Sequence, residues 1–362
     1  MATSSSTPEA FAGKTSILPR TGYIVSPAFD LFYFILSPLL GLLIIRAVVL
    51  TEFDWAISQQ NLLGVMDSRV GFAIAVWTYA HLFAVVFRSH MNPQIFRQHR
   101  IRFVVVPIVL LVGFLTSGWV LAFGMALTWL WDVYHSSMQV FGFCRIYDSK
   151  MGSPAEKGRL LDVWMSHLVY IAPIFVGLDI NPIFGSALRE FRRVGLDLQP
   201  TVLNPILGVQ TGIAGAIAVA GTVFAVYYVY AYWKMSQEGY RYSPQKGLML
   251  VTTGCVNYYA WGFLHPVGAF FVINFFHGLQ YFAMVWWSER KHITKTIGLS
   301  RFAWGHIVSL ALFVVVVFGV GTWHKVEAVH GGGLVAISIA TVISLMHFWY
   351  DGFIWSVRRN EV

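Results

Sequence analysis

The chain has 362 residues, 57% of them apolar and 16% aromatic, with only 12% charged. Soluble domains carry about 25% charged residues, so these numbers, with a mean hydropathy of +0.63, exclude an ordinary soluble protein, a disordered chain, a coiled coil and collagen. The net charge of +8 would point to nucleic acid in a soluble protein. Here the distribution of basic residues gives it another meaning, and no nucleic-acid partner is expected.

Residues 1–28 are rich in Ser, Thr and Pro, carry Glu9, Lys14 and Arg20, and have no apolar core before Phe29. They read as a flexible cytoplasmic tail rather than a cleavable signal. Apolar runs long enough to cross a ~30 Å hydrocarbon core as helices then follow one another. The expected spans are 29–50, 70–88, 103–117, 119–146, 161–180, 206–233, 247–264, 267–288, 303–321 and 332–356. Two divisions are inferred. Thr116-Ser117-Gly118 splits the run from Phe103 to Tyr147. His265-Pro266 splits the run from Gly247 to Trp287, because proline lacks a donor and clashes with the preceding turn. If either pair is one helix plus a re-entrant piece, the count falls towards eight. The expected fold class is therefore an all-α, polytopic transmembrane bundle of 8–10 spans. It forms one domain over 29–357, followed by a short cytoplasmic tail at 358–362.

Loop charges orient the bundle. With ten spans and both termini inside, 19 of the 25 Lys and Arg residues fall on the cytoplasmic side. Five fall outside (Arg69, Arg189, Arg192, Arg193 and Lys325), and Arg46 lies in the first span. Basic residues concentrate in cytoplasmic loops, so the reading is a multi-pass protein of a bacterial inner membrane. The outer connection at 181–205 reads as an interfacial helix. The basic loop at 88–102, with Ile95, Phe96 and Ile101 between its charges, reads as a contact with anionic headgroups. Cys144 and Cys255 give no disulfide framework and are expected to be unpaired.

Ionisable residues inside hydrocarbon are costly and usually face the bundle interior. His81, His135, His277 and His347 lie in the second, fourth, eighth and tenth spans, which all run in the same direction. They precede the basic anchors Arg88, Arg145, Arg290 and Arg358 by 7, 10, 13 and 11 residues. At ~1.5 Å per residue, the four rings lie roughly 10–20 Å from the cytoplasmic edge. His167 reaches a similar level on the fifth span. Helical spacing places Asp132 and Gln139 on the face of His135, Gln280 and Tyr281 on that of His277, and Asp351 on that of His347. A shared metal site follows from this pattern, with His81, His135, His277 and His347 as ligands. Asp132, Gln139, His167, Gln280, Tyr281 and Asp351 are expected to support it, since a metal-bound imidazole usually donates its second N–H to such groups. Iron is the expected metal, with copper, zinc or haem as alternatives. Trp131, Tyr134, Trp286, Trp349 and Tyr350 could wall an aromatic pocket for a lipophilic ligand. No HExxH helix, GxSxG elbow or dense histidine box of the membrane desaturases is present, and no catalytic residue beyond the metal set is assigned.

Histidines on several inner helices of a polytopic chain with almost no soluble part resemble the bacterial membrane carotene dioxygenases of the Brp/Blh family. In that family, histidines from different spans hold a non-haem iron, a role that would fall here to His81, His135, His277 and His347. The family pairs two histidines on one helix, whereas Gln139 and Asp351 occupy the corresponding i+4 positions here. The resemblance implies a metal-centred oxygenase more than it implies carotene as the substrate, and the reading is a membrane metal-dependent oxidoreductase acting on a lipophilic substrate, with any redox partner left unidentified. The alternatives are a histidine-ligated haem protein or haem-modifying enzyme, and a proton- or ion-coupled transporter. Reporter fusions at residues 150, 240 and 295 are all expected to report cytoplasm. A periplasmic signal at any one of them would overturn the ten-span topology.

Overall fold

The structure, a computed structural model, describes residues 22–58, 69–154, 156–177, 204–264, 266–329 and 333–355, together with Leu188, Arg192 and Asp197. The terminal tail at 358–362, most of the N-terminal tail and most of the expected interfacial helix at 181–205 lie outside the described residues. The described residues are helical throughout, with no strand among them. In chain order the helices are α1 (Pro27–Asp30), a π-helical turn (Leu31–Ile35), α2 (Ser37–Ser58), α3 (Arg69–Ser89), α4 (Pro93–Thr116) and α5 (Gly118–Lys150). There follow α6 (Arg159–Tyr170), α7 (Ala172–Val176), α8 (Asn204–Gln237), α9 (Pro244–Phe263), α10 (Pro266–Thr296), α11 (Gly305–Val329) and α12 (Gly333–Ile354).

Seven stretches are long and apolar enough to cross a membrane: those on α3, α4, α6 with α7, α8, α10, α11 and α12. The bent pair Pro27–Ile35 and Ser37–Ala47 makes an eighth if it is one span. Among the described residues the protein is thus all-helical, with seven to eight candidate membrane-spanning helices. The expected fourth and seventh spans are helices too, α5 and α9, but more polar ones. Both inferred divisions fall where helices end: α4 stops at Thr116 and α5 starts at Gly118, while α10 starts at Pro266. Ser117 caps α5 by accepting from the Val120 amide, which satisfies a donor the helix itself leaves unpaired.

The expected first span is broken rather than continuous. The two halves meet at 57° after the π turn. Asp30 folds back to accept from the amides of Ile24, Val25 and Ser26. The wider π turn leaves main-chain carbonyls without regular partners, and neighbouring helices supply them. Gln280 on α10 donates to the Phe34 carbonyl at 2.9 Å, and Thr252 on α9 donates to that of Ile35 at 2.6 Å.

At the centre, α10 packs against α2, α3, α9 and α11, while α12 packs against α3, α4 and α5. Two apolar clusters fill the interior, one around Phe34, Phe143 and Phe276, the other around Phe103, Tyr281 and Leu345. Cys144 is buried, and both cysteines are free.

Several charges expected in cytoplasmic loops are instead buried and paired. Lys246, 0% exposed, lies 2.6 Å from Asp148 Oδ2 and 2.7 Å from Asp162 Oδ1. Arg145 pairs with the same two carboxylates and donates to the carbonyls of Pro154 and Lys157. Tyr228 and Tyr232 donate to Asp162, and Tyr240 donates to Asp148. Two cations and two anions leave the network neutral, and it ties α5, α6, α8 and α9 together. Breaking such a pair strands a buried charge at a cost of about 3–5 kcal/mol. Lys246→Met is accordingly expected to lower the thermal unfolding midpoint in detergent by an amount corresponding to that loss of free energy, and an unchanged midpoint would show that the network adds no stability.

Candidate metal centre

The sequence places one histidine on each of four helices, and packing brings all four rings together. His81 (α3), His135 (α5), His277 (α10) and His347 (α12) are between 0% and 5% exposed. The centroid of His81 is 5.1 Å from those of His277 and His347, and that of His135 is 5.3 Å from His277 and 4.8 Å from His347. The rings meet edge to face. This closeness depends on Gly278, where α10 crosses α3. A Cβ there would stand 2.6 Å from the Trp77 Nε1 and 3.3 Å from the His81 Cβ.

Two sets of donors emerge, sharing His347. His81, His277 and His347 offer ring nitrogens within 4.8 Å of one another, as do His135, His347 and Asp351 with nitrogens and a carboxylate oxygen. In the second set, the Nε2 atoms of His135 and His347 are 3.1 Å apart, and each is 3.8 Å from Asp351 Oδ2. Donors around a single ion at ~2.0–2.2 Å lie at most about 4.4 Å from one another, so these separations match a common ion. Asp351 is oriented for this. Tyr281 OH and Trp355 Nε1 donate to its Oδ1 at 2.9 and 3.0 Å, leaving Oδ2 towards the rings.

Buried polar atoms normally have partners. Among the described residues, Nε2 of His81 and Nε2 of His277 have none. Unpartnered lone pairs pointing into a cluster of imidazoles fit a cation.

The expected supporting residues divide. Asp351 joins the donors and Tyr281 orients it. Gln139 donates to the His277 carbonyl at 3.2 Å and to Gln280 at 3.0 Å, and Gln280 goes on to Phe34, so both glutamines hold backbone rather than rings. Asp132 and His167 belong to neither donor set. His167 bonds Ser137 instead. The five aromatic residues do not share one wall. Trp131 packs on Phe348, Tyr134 on His167, Trp286 on Phe313, Trp349 on Phe353 and Tyr350 on Phe103.

A clamp at one end of the centre was not foreseen. Arg88 pairs with Glu289 at 2.6 Å, donates through Nε and Nη2 to the Ile354 carbonyl, and stacks 3.8 Å over Trp355. Asn92 donates to the other Glu289 oxygen at 2.9 Å. The clamp joins α3, α10 and α12, the helices of His81, His277 and His347. Trp355 lies four residues beyond Asp351 and eight beyond His347, a helical spacing that could have revealed it.

No protein-family model matches the chain, and comparison with curated proteins and with solved structures finds no match either. Gly278→Val should force α3 and α10 apart, costing about 1–3 kcal/mol as overpacking does. It is expected to lower the unfolding midpoint, and an undiminished midpoint would show that the crossing tolerates the added bulk.

Proposed function

We propose that this chain is a ten-span protein of a bacterial inner membrane with both termini inside. In this reading it holds a metal ion, iron, among His81, His135, His277, His347 and Asp351, and is an oxidoreductase acting on a lipophilic substrate. The observation that carries the reading is the convergence of four imidazoles and one carboxylate from four helices. Neutral hydrogen bonding among helices would need only pairs.

The donor chemistry supports iron in particular. Two histidines and one carboxylate with open positions form the facial set that non-haem Fe(II) oxygenases use, and His135, His347 and Asp351 are such a set. Three imidazoles, as in His81, His277 and His347, also suit zinc or copper. Bound there, ferrous iron would supply redox chemistry with dioxygen at its open positions. The chain's own part is to hold donors and exclude water. Tyr281 and Trp355 orient the carboxylate, and the apolar clusters on both sides keep the centre dry. Rings whose centroids stand 4.8–5.3 Å apart favour an ion over a porphyrin, which needs a planar slot between its axial ligands. Electrons would come from a separate reductant on the cytoplasmic side, where the basic loops are expected.

Metal analysis and visible absorption of the detergent-purified protein, loaded with Fe(II), test the proposal. Near-stoichiometric iron is expected, lost in His135→Ala and His347→Ala while membrane insertion persists, because insertion depends on hydrophobicity that these changes do not reduce. Asp351→Asn is expected to weaken metal binding at least 10–100-fold, as changes around metal ligands do. A wild-type protein that takes up no metal would overturn the reading, and a Soret band would replace it with the haem alternative.

A further inference from the structure

A second polar arrangement lies between α5 and α6, two residues from His135. Ser137 is fully buried, and its hydroxyl donates to the Tyr134 carbonyl at 2.8 Å. The same oxygen is 2.9 Å from Nδ1 of His167 on α6. A serine hydroxyl has a single proton to give. With that proton directed at Tyr134, the oxygen accepts from His167, and in this tautomer Nδ1 carries the imidazole hydrogen and Nε2 a lone pair. Among the described residues, Nε2 has no partner.

The surroundings of this acceptor are apolar and open. The His167 ring lies 5.7 Å from the ring of Tyr134 and 5.9 Å, edge to face, from that of Trp164. Those two are 48% and 61% exposed. Leu130 and Leu160, one helical turn before Tyr134 and Trp164 respectively, are also exposed and extend the same faces. A fixed hydrogen-bond acceptor between two aromatic rings on a lipophilic surface selects a donor attached to an apolar body. A cationic donor is disfavoured, since charge is costly among apolar groups.

We propose that His167, Tyr134 and Trp164 form an anchoring site for a lipophilic alcohol, whose hydroxyl donates to His167 Nε2 while its apolar body lies along the two rings. As an approach to the metal centre the site rests on the proposed function, since only α5 separates it from His135. As a binding site it needs no metal.

Photo-crosslinking of the full chain in lipid nanodiscs tests it, with a diazirine-bearing hexadecanol and its methyl ether as paired probes. A hydrogen bond worth roughly 0.6–1.5 kcal/mol predicts about 3–10-fold more labelling of segments 130–137 and 160–168 by the alcohol than by the ether. The preference should vanish in His167→Phe and return in part in His167→Gln, whose amide oxygen accepts. Equal labelling of the wild-type protein by both probes would overturn the proposal, as would a preference that survives in His167→Phe. The comparison is made on metal-free and Fe(II)-loaded protein. A preference retained by a chain that binds no metal leaves the alcohol site standing and removes the oxidoreductase reading. Metal uptake without the preference does the reverse.

Discussion

Four imidazoles withdrawn from water into an apolar bundle constrain everything packed around them. Each ring carries one donor and one acceptor that hydrocarbon cannot satisfy, so the helices must bring the rings to one another and to Asp351. That requirement explains the glycine where α3 and α10 cross, since a side chain at 278 would hold the rings of His81 and His277 apart. It explains why Tyr281 and Trp355 both grip one oxygen of the Asp351 carboxylate. It also explains why the nearest glutamines act on main chain, leaving ring nitrogens free for another occupant.

Charge is handled by the same logic. The network of Arg145, Lys246, Asp148 and Asp162 is neutral within itself, and Arg88 is matched by Glu289. Each joins helices far apart in sequence, so each acts as a tie rather than as a surface ornament. Exposed ion pairs such as Lys157 with Glu238 are worth far less, because water screens them. The two buried assemblies flank different parts of the bundle: one gathers α5, α6, α8 and α9, the other α3, α10 and α12.

Much of the fold was legible because apolar length is a strong signal. All ten expected spans correspond to helices, and the breaks at Ser117 and Pro266 follow from capping and proline chemistry. The bend after Ile35 was missed, although Ser37-Pro38 marks it, because mean hydropathy continues across it. The convergence of the four histidines was legible from depth, since offsets of 7–13 residues from basic anchors predict comparable heights for the rings. Which flanking groups touch the rings was not legible, since i+3 and i+4 spacing gives a face but not what that face meets. Asp351 joins the donors, whereas Asp132 belongs to neither donor set. Arg88, Arg145 and Lys246 were read as loop charges because a count of basic residues cannot see the carboxylates that pair with them. The Ser137–His167 bond joins helices whose rotation about their own axes the sequence leaves open.

The clamp between Arg88 and the Ile354 carbonyl spans 266 positions of the chain, and the contact between His81 and His347 spans as many. Biosynthesis is therefore ordered in time. His81 is made long before its partners on α10 and α12, so the nascent bundle must hold an unpartnered imidazole in the interim. The centre can form only after α12 has emerged and docked, which gives the turn of α12 that ends at Ile354 the role of a closing bolt.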